Sequence, residues 1–358
     1  MLWLAFISIP YLILLIFIFI HLRKISSTSQ SAQVPATPVS VVIACRNEEK
    51  NLPQLLSCLK DQDYPRNLLS VIIVDDHSTD STRAVAGSFA DHVNLAIISS
   101  DGVGKKEALR TGIYQSQTDL IVTTDADCIM GKSWLRDISS FYEQHKPDMI
   151  IAPVMLNQKK GFFGRFQELE FLSLQGITAG TAACGNATMC NGANLAFTKS
   201  AWIGNMENLR FDISTGDDVF LLHSMKGNNN RITLLAAPAA MVVTNSADNI
   251  SSFLLQRKRW ASKATAYKDK FSIFLGIVTF VTNLAQAILL IGAFFDPVLL
   301  TAFLLFFLLK SIPDYLILNT TTKRYGRNAL MWWFLPSQIV YPYYVVVVAG
   351  VALISPKQ

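Results

Sequence analysis

Cysteine and charge are both scarce in this chain, and each scarcity removes a class of protein. The five cysteines, Cys45, Cys58, Cys128, Cys184 and Cys190, are odd in number and contain no C-x-x-C pair. That argues against a disulfide framework and against a zinc site, and it suits a reducing compartment. Only 16% of the 358 residues are charged, against about a quarter in ordinary soluble domains. The net charge of +5 is spread along the chain with no basic stripe interleaved with aromatics, so nucleic acid is not expected as a partner. No basic residue precedes the first apolar run and no small-residue cleavage site follows it, which disfavours a removed secretory leader. No internal repeat relates the apolar segments, which disfavours a transporter. Hydrophobic residues, by contrast, make up 51% of the chain, and part of it is expected in lipid.

Leu2 to Ile20 is an apolar run long enough to cross the hydrocarbon core. Arg23 and Lys24 follow it, so by the positive-inside rule the amino terminus lies outside and the chain enters the cytoplasm there. Ile25 to Pro38, rich in Ser, Thr, Gln and Pro, reads as a tether. Three more spans are expected at Phe271 to Phe295, Val298 to Leu318 and Ala329 to Ile354. Asp296-Pro297 falls outside and Lys323, Arg324 and Arg327 fall inside, giving four crossings with both termini outside. The expectation is a multi-pass integral membrane protein with a cytoplasmic catalytic domain. Lys310 and Asp314, four apart, could pair on one helix face, although snorkelling from the cytoplasmic end is the simpler reading. Ile250 to Lys270 is amphipathic and basic and should lie on anionic lipid. Gly161 to Gly180 is helical, either along the membrane surface or covering a sheet.

Between the first span and the basic helix, short apolar runs alternate with helical spacing. Val39 to Ala44, Leu69 to Val74, Leu95 to Ser99, Leu120 to Thr124 and Met149 to Val154 read as strands. The fold class is therefore α/β, a mainly parallel sheet covered by helices, with ligands at the carboxyl ends of the strands. Polar residues gather at three of those ends: Arg46, Asn47 and Glu48; Asp75 and Asp76; Asp125 and Asp127. In extended chain, residues two apart point the same way, so Asp125 and Asp127 could share one hard cation such as Mg²⁺ or Mn²⁺. The expected domains are 1–24 (span), 25–38 (linker), 39–249 (catalytic), 250–270 (interface helix) and 271–358 (three spans).

A nucleotide-diphosphate leaving group calls for this inventory. A divalent ion and a basic side chain neutralise the departing charge, while a separate carboxylate takes the acceptor's proton. Val41 to Leu52 (V-V-I-A-C-R-N-E-E-K-N-L), Asp75 to Thr82 (D-D-H-S-T-D-S-T), Gly104 to Leu109 (G-K-K-E-A-L), Asp125 to Asp127, Thr215 to Asp218 and Gln256 to Trp260 (Q-R-K-R-W) resemble, in order and spacing, the motifs of membrane-bound family 2 glycosyltransferases. That group includes cellulose, chitin, hyaluronan and poly-N-acetylglucosamine synthases and the ceramide glucosyltransferases. The resemblance covers Pro38 to Trp260 and implies a GT-A (Rossmann-like) catalytic domain and inverting chemistry.

It further implies that Asp75 and Asp76, with the Arg46 to Glu48 turn, hold the nucleoside and that Lys105 approaches the nucleotide. Asp125 would lie beside the nucleotide and Asp127 would ligate the metal. Asp217 and Asp218 match the acidic pair, with Asp218 as catalytic base, although an acidic first turn behind a Thr215 cap suits any helix. Gln256 and Trp260 would face the acceptor and Arg259 the diphosphate, against the alternative that Arg and Trp face lipid. Asn191, Gly192 and Asn194 stand where acceptor residues occur in relatives. His77 replaces a frequent Gly, and Arg110 a usual Asn. The implied reaction moves a sugar from a nucleotide-sugar donor, UDP-linked by expectation, to a membrane lipid or lipid-linked acceptor. The alternative is a processive polysaccharide synthase, for which four crossings are few unless a homo-oligomer rebuilds a channel. An inactive scaffold should have lost charge at the metal, base or Arg-Trp positions, and all of these are present.

Overall fold

The computed structural model describes residues 2–26, 35–91 and 93–354. Most of the expected tether, 27–34, lies outside the described residues. The chain divides into two compact units: residues 1–25, 158–188 and 246–358 form a helical unit, and 26–157 with 189–245 form a sheet unit.

Along the chain, α1 (Leu2–Lys24) precedes β1 (Val39–Cys45), α2 (Leu52–Lys60), β2 (Leu69–Asp75), α3 (Thr82–Gly87) and β3 (Leu95–Ser99). Next come α4 (Lys105–Gln115), β4 (Leu120–Thr123), β5 (Ile129–Met130), α5 (Trp134–His145), β6 (Met149–Ile151) and β7 (Val154–Leu156). The chain continues through α6 (Gly161–Ala183), β8 (Leu195–Thr198), α7 (Lys199–Asn205), α8 (Asp217–Gly227), β9 (Ile232–Leu234) and β10 (Val242–Thr244). It ends with α9 (Ile250–Ser262), α10 (Lys270–Gly292), α11 (Pro297–Arg324) and α12 (Phe334–Ile354).

In the sheet unit a seven-stranded sheet has the order β3-β2-β1-β4-β8-β6-β9. Pairs β2/β3, β1/β2, β1/β4 and β6/β9 are parallel, and only β8 runs against its neighbours β4 and β6. Strands β1 and β2, rich in Val and Ile, are buried along nearly their whole length, as strands covered on both faces must be. Leu52, Leu55, Leu56 and Leu59 form the buried stripe of α2. The expected strand Met149 to Val154 is two strands in two sheets. Pro153 has no N–H to continue a ladder, and β7 joins β5 and β10 in a second, three-stranded sheet. From β1 the chain moves outward to β2 and β3, then returns to place β4 on the other side of β1. Strand order thus reverses between β1 and β4, which opens a crevice at their carboxyl ends.

Among the described residues, the helical unit holds four helices long and apolar enough to cross a membrane: Phe6–Lys24, Lys270–Gly292, Pro297–Arg324 and Asn328–Ala352. Segment 158–188, which the sequence reading placed in the catalytic span, packs here. On α6 a Cβ at Gly180 would fall 2.5 Å from Ile18 Cγ2 of α1, and one at Gly176 would fall 2.5 Å from Thr321 Oγ1 of α11. Small residues let these backbones approach. A capping box between Asn249 and Ser252 starts α9, and the helix stops at Ser262 rather than running on to Lys270.

Candidate active site

The three polar clusters lie at the carboxyl ends of β1, β2 and β4, which are neighbours in the sheet. Cys45 pairs with Asp75 in register, so the Arg46 to Glu48 turn and the Asp75-Asp76 pair leave the sheet side by side. Loop-to-loop bonds tie them: Asn47 N–H donates to Ser78 Oγ at 3.0 Å, Thr79 N–H to Asn47 Oδ1 at 2.8 Å, and Glu48 N–H to Thr82 Oγ1 at 2.8 Å. Asp75 accepts from Ser78 N–H at 3.2 Å and faces Arg83 at 3.5 Å. Asp76 is buried and accepts the Gly104 N–H at 2.9 and 3.0 Å, with Arg46 at 3.9 Å. His77 has φ +57°, the left-handed region that glycine enters freely, which accounts for Gly being frequent at this position.

Beyond β4 the backbone departs from the expectation. Thr124 and Asp125 are no longer strand, and Ala126-Asp127 form a turn closed by Cys128 N–H to Asp125 O at 3.1 Å. The alternation that would aim both carboxylates the same way does not hold through a turn. Asp125 Oδ1 instead accepts from Lys105 Nζ at 2.6 Å, while Asp127 Oδ2 accepts from Thr244 Oγ1 at 2.8 Å and Asn245 N–H at 3.4 Å. Among the described residues no group of three or more His, Cys, Asp or Glu forms a ready metal cage. The mouth is nonetheless rich in negative charge. Burial, and after it the charges of Asp127, Asp125 and Asp80, raise the Glu48 carboxyl above its ordinary range despite a hydrogen bond from Asn51. Burial together with Asp125 and Asp127 also pushes up the Cys128 thiol, so it stays protonated.

Helix α8 begins at Asp217, with Gly216 at φ +85° as its N-cap in place of the expected Thr215. Asp218 is fixed by two backbone donors, Gly192 N–H to Oδ2 at 3.2 Å and Val219 N–H to Oδ1 at 2.7 Å. Gly192 is needed for closeness, since a Cβ there would meet Asp217 Oδ2 at 3.1 Å. Lys105 Nζ lies 3.9 Å from Asp217 Oδ2, so one ammonium spans the carboxylates that end β4 and open α8. Burial works against its charge, but Asp125 and Asp217 outweigh burial and raise the Lys105 pKa.

Of the expected acceptor residues, Asn191 caps the turn at Gly192–Asn194 by accepting from Ala193 N–H. Asn194 is corrected to a structural role. It is fully buried, accepts from Trp134 Nε1 at 2.9 Å and donates to Pro153 O and Ala240 O at 2.7 and 2.8 Å, which leaves its amide no N–H to offer a ligand.

Gln256, Arg259 and Trp260 belong to α9 in the helical unit. Arg259 is exposed, but Arg257, which falls in the basic segment expected on lipid, is buried. Its guanidinium donates to Glu170 of α6 at 2.5 and 3.0 Å and to Gln256 Oε1 at 2.5 Å, and stands 4.1 Å from the Trp260 ring centroid. Tyr344 O–H also donates to Glu170, at 2.9 Å. The missed signal was Glu170 itself, a carboxylate in an apolar helix that needed a buried cation.

With this geometry in place, residues 40–202 match the family described as glycosyl transferase family 2. The chain carries a family 2 glycosyltransferase domain. The chain is 31% identical over 130 residues to a poly(ribitol-phosphate) β-N-acetylglucosaminyltransferase of Staphylococcus aureus, covering 35% of this chain and 22% of that protein. This chain thus spans about a fifth of that relative's length. An N-acetylglucosaminyltransferase of Azorhizobium caulinodans is 23% identical over 300 residues, 76% of this chain and 74% of its own. Among solved structures, a mannosyltransferase of Pyrobaculum calidifontis in complex with GDP-Man and Mn²⁺ superposes with a TM-score of 0.59 at 16% identity, covering 99% of this chain and 97% of its own. That likeness is one of fold, and it establishes the GT-A fold.

Proposed function

We propose that the chain is an inverting glycosyltransferase that moves one sugar from a nucleotide-sugar donor, UDP-linked, to a lipid or lipid-linked acceptor at the membrane. The observation that carries this reading is the Lys105 ammonium between Asp125 and Asp217, beside the crevice where strand order reverses. Such a crevice is where α/β folds take nucleotides, and a cation already held by two carboxylates can exchange them for diphosphate oxygens. The nucleoside would lie along the Arg46 to Glu48 turn and Asp75-Asp76. Asp218, oriented by Gly192 and Val219, takes the acceptor hydroxyl's proton as its oxygen attacks the anomeric carbon. The bond to the diphosphate breaks on the opposite side, and its electron pair leaves with the nucleotide, so an α-linked donor gives a β product.

The acidic mouth suits a hard divalent cation: after burial, the charges of Asp127 and Asp125 raise the Glu48 carboxyl. Mg²⁺ or Mn²⁺ held by Asp127 and Asp125 would neutralise the leaving diphosphate. The four apolar helices support a multi-pass protein acting on a membrane acceptor, with the sheet unit in the cytoplasm. Gly192 and Asn191 line the acceptor side of Asp218.

The test is product analysis by mass spectrometry after incubating the full chain, in nanodiscs of total membrane lipid, with Mn²⁺ and a panel of UDP- and GDP-sugars. A lipid heavier by one sugar is the expected result. A ladder of many sugars would replace the single-transfer reading with polymer synthesis, and no product from any donor would overturn the proposal.

A further inference from the structure

Lys105 is followed by a second lysine, Lys106, in the first turn of α4. Successive residues on a helix point about 100° apart, so the pair divides its work. Lys105 faces the crevice. Lys106 turns inward and is only 7% exposed. Its Nζ donates to Leu209 O and to Arg210 O, both at 2.9 Å, and stands 4.8 Å from the Phe220 ring centroid of α8. Residues 209–216 are the loop that feeds Asp217 and Asp218 into the site. Arg210 has φ +53°, a backbone state uncommon for a side chain other than glycine's, and the two successive carbonyls around it meet the same ammonium.

A buried ammonium is costly unless its donors are met, and an apolar residue of Lys length would fill the space at less expense. What Lys gives, and an apolar residue cannot, is a directional hold on the backbone that leads to the base. The space beside this hold is not fully packed. A cavity of about 20 Å³, walled mainly by apolar side chains such as Leu109, Leu209 and Phe211 and reached by Lys106, Asp217 and Asp218, leaves room for about one water and for a small shift of the loop. The first turn of α4 is therefore joined to the acidic helix twice, through Lys105 to Asp217 and through Lys106 to the loop behind it.

We infer that Lys106 is a positioning residue that couples donor binding to placement of the Asp217-Asp218 pair. The inference rests on the glycosyl-transfer reading above. When Lys105 exchanges Asp125 and Asp217 for diphosphate oxygens, the first turn of α4 adjusts, and Lys106 carries that adjustment into residues 209–216.

The test is hydrogen exchange on the full chain in nanodiscs, with and without UDP and Mn²⁺, and with GDP and Mn²⁺ in parallel. Residues 209–216 should gain protection when nucleotide binds the unaltered protein, and Lys106→Met should abolish that gain. In transfer assays Lys106→Met should lower kcat on the order of a hundredfold while donor KM and UDP affinity stay within about twofold, a split that general loss of structure would not give. Nucleotide binding without any change at 209–216 in the unaltered protein would overturn the inference whether or not the variant folds, as would unchanged kcat in Lys106→Met. Failure of the unaltered protein to bind either nucleotide would instead remove the glycosyl-transfer reading and this inference with it.

Discussion

The Lys310 ammonium lies 2.8 Å from the Asp314 carboxylate one turn along α11. Lys310 is about 20 Å from the first residue of this 28-residue helix, near its middle, and is 1% exposed. Snorkelling from a helix end is therefore not how it is accommodated. Tyr11 O–H donates to Asp314 at 2.5 Å, and Gln338 bonds both Lys310 and Asp314 at 3.1 Å, so three helices share the pair.

From that closure, Lys310→Met alone should destabilise the helical unit by about 3 kcal/mol or more, because the Asp314 charge is left buried without its counter-ion. Lys310→Met combined with Asp314→Leu should recover most of the loss. Thermal unfolding in nanodiscs decides this; a single variant as stable as the parent would show that the pair contributes nothing.

Asp218→Asn keeps the shape and one of the two backbone contacts, from Gly192 or from Val219, but cannot take a proton. Sugar transfer should fall by about 10²–10⁴-fold, with UDP affinity by calorimetry unchanged. Asp127→Ala should act on the other quantity, weakening Mn²⁺-dependent UDP binding; parent-like affinity in that variant would remove Asp127 from the metal site.

His77 sits in left-handed backbone in the loop that follows β2. His77→Gly should fold and bind UDP at least as well as the parent, whereas His77→Val, β-branched at positive φ, should lose about 1–2 kcal/mol. Equal stability of the two variants would mean that the backbone relaxes without cost.

For Glu48 the sign follows from its raised carboxyl. The folded protein holds this proton more tightly than the unfolded chain, so ionising Glu48 costs stability as pH rises through its folded pKa. Glu48→Gln should therefore raise the melting temperature at pH 7 and lose that advantage below about pH 4, near the unfolded value. A melting curve that shifts equally at both pH values would contradict a carboxyl raised by burial and, after it, by the neighbouring aspartates.

Much of the sheet was legible because parallel strands buried on both faces must be continuous apolar runs, and their polar ends are abrupt. Asp75, Asp76 and Asp125 stood out for that reason, whereas the Asp217-Asp218 pair, which opens α8 rather than ending a strand, stood out only through the motif resemblance. What sequence pattern could not supply was backbone direction after the strands. The Asp125-Ala126-Asp127 turn breaks the two-residue alternation, and Pro153 sends one apolar run into two sheets. Side chains with polar atoms were harder still. Asn194 and Arg257 look like ligand groups by type, yet each is consumed inside the protein, one by Trp134 and two carbonyls and the other by Glu170. Periodicity records that a residue is polar, not whether its partner is a substrate or a neighbour.

The excursion of residues 158–188 into the helical unit also sets an order of assembly. Strand β8, which fills the place between β4 and β6, is synthesised only after α6, so β4 and β6 wait without their common neighbour while α6 leaves to join α1. The sheet can close only when a chain segment on the far side of that excursion returns, which makes its central pairing a late, long-range step. A chain halted at residue 188 would leave one edge of β4 and both edges of β6 unpaired, and such edges invite pairing with other chains.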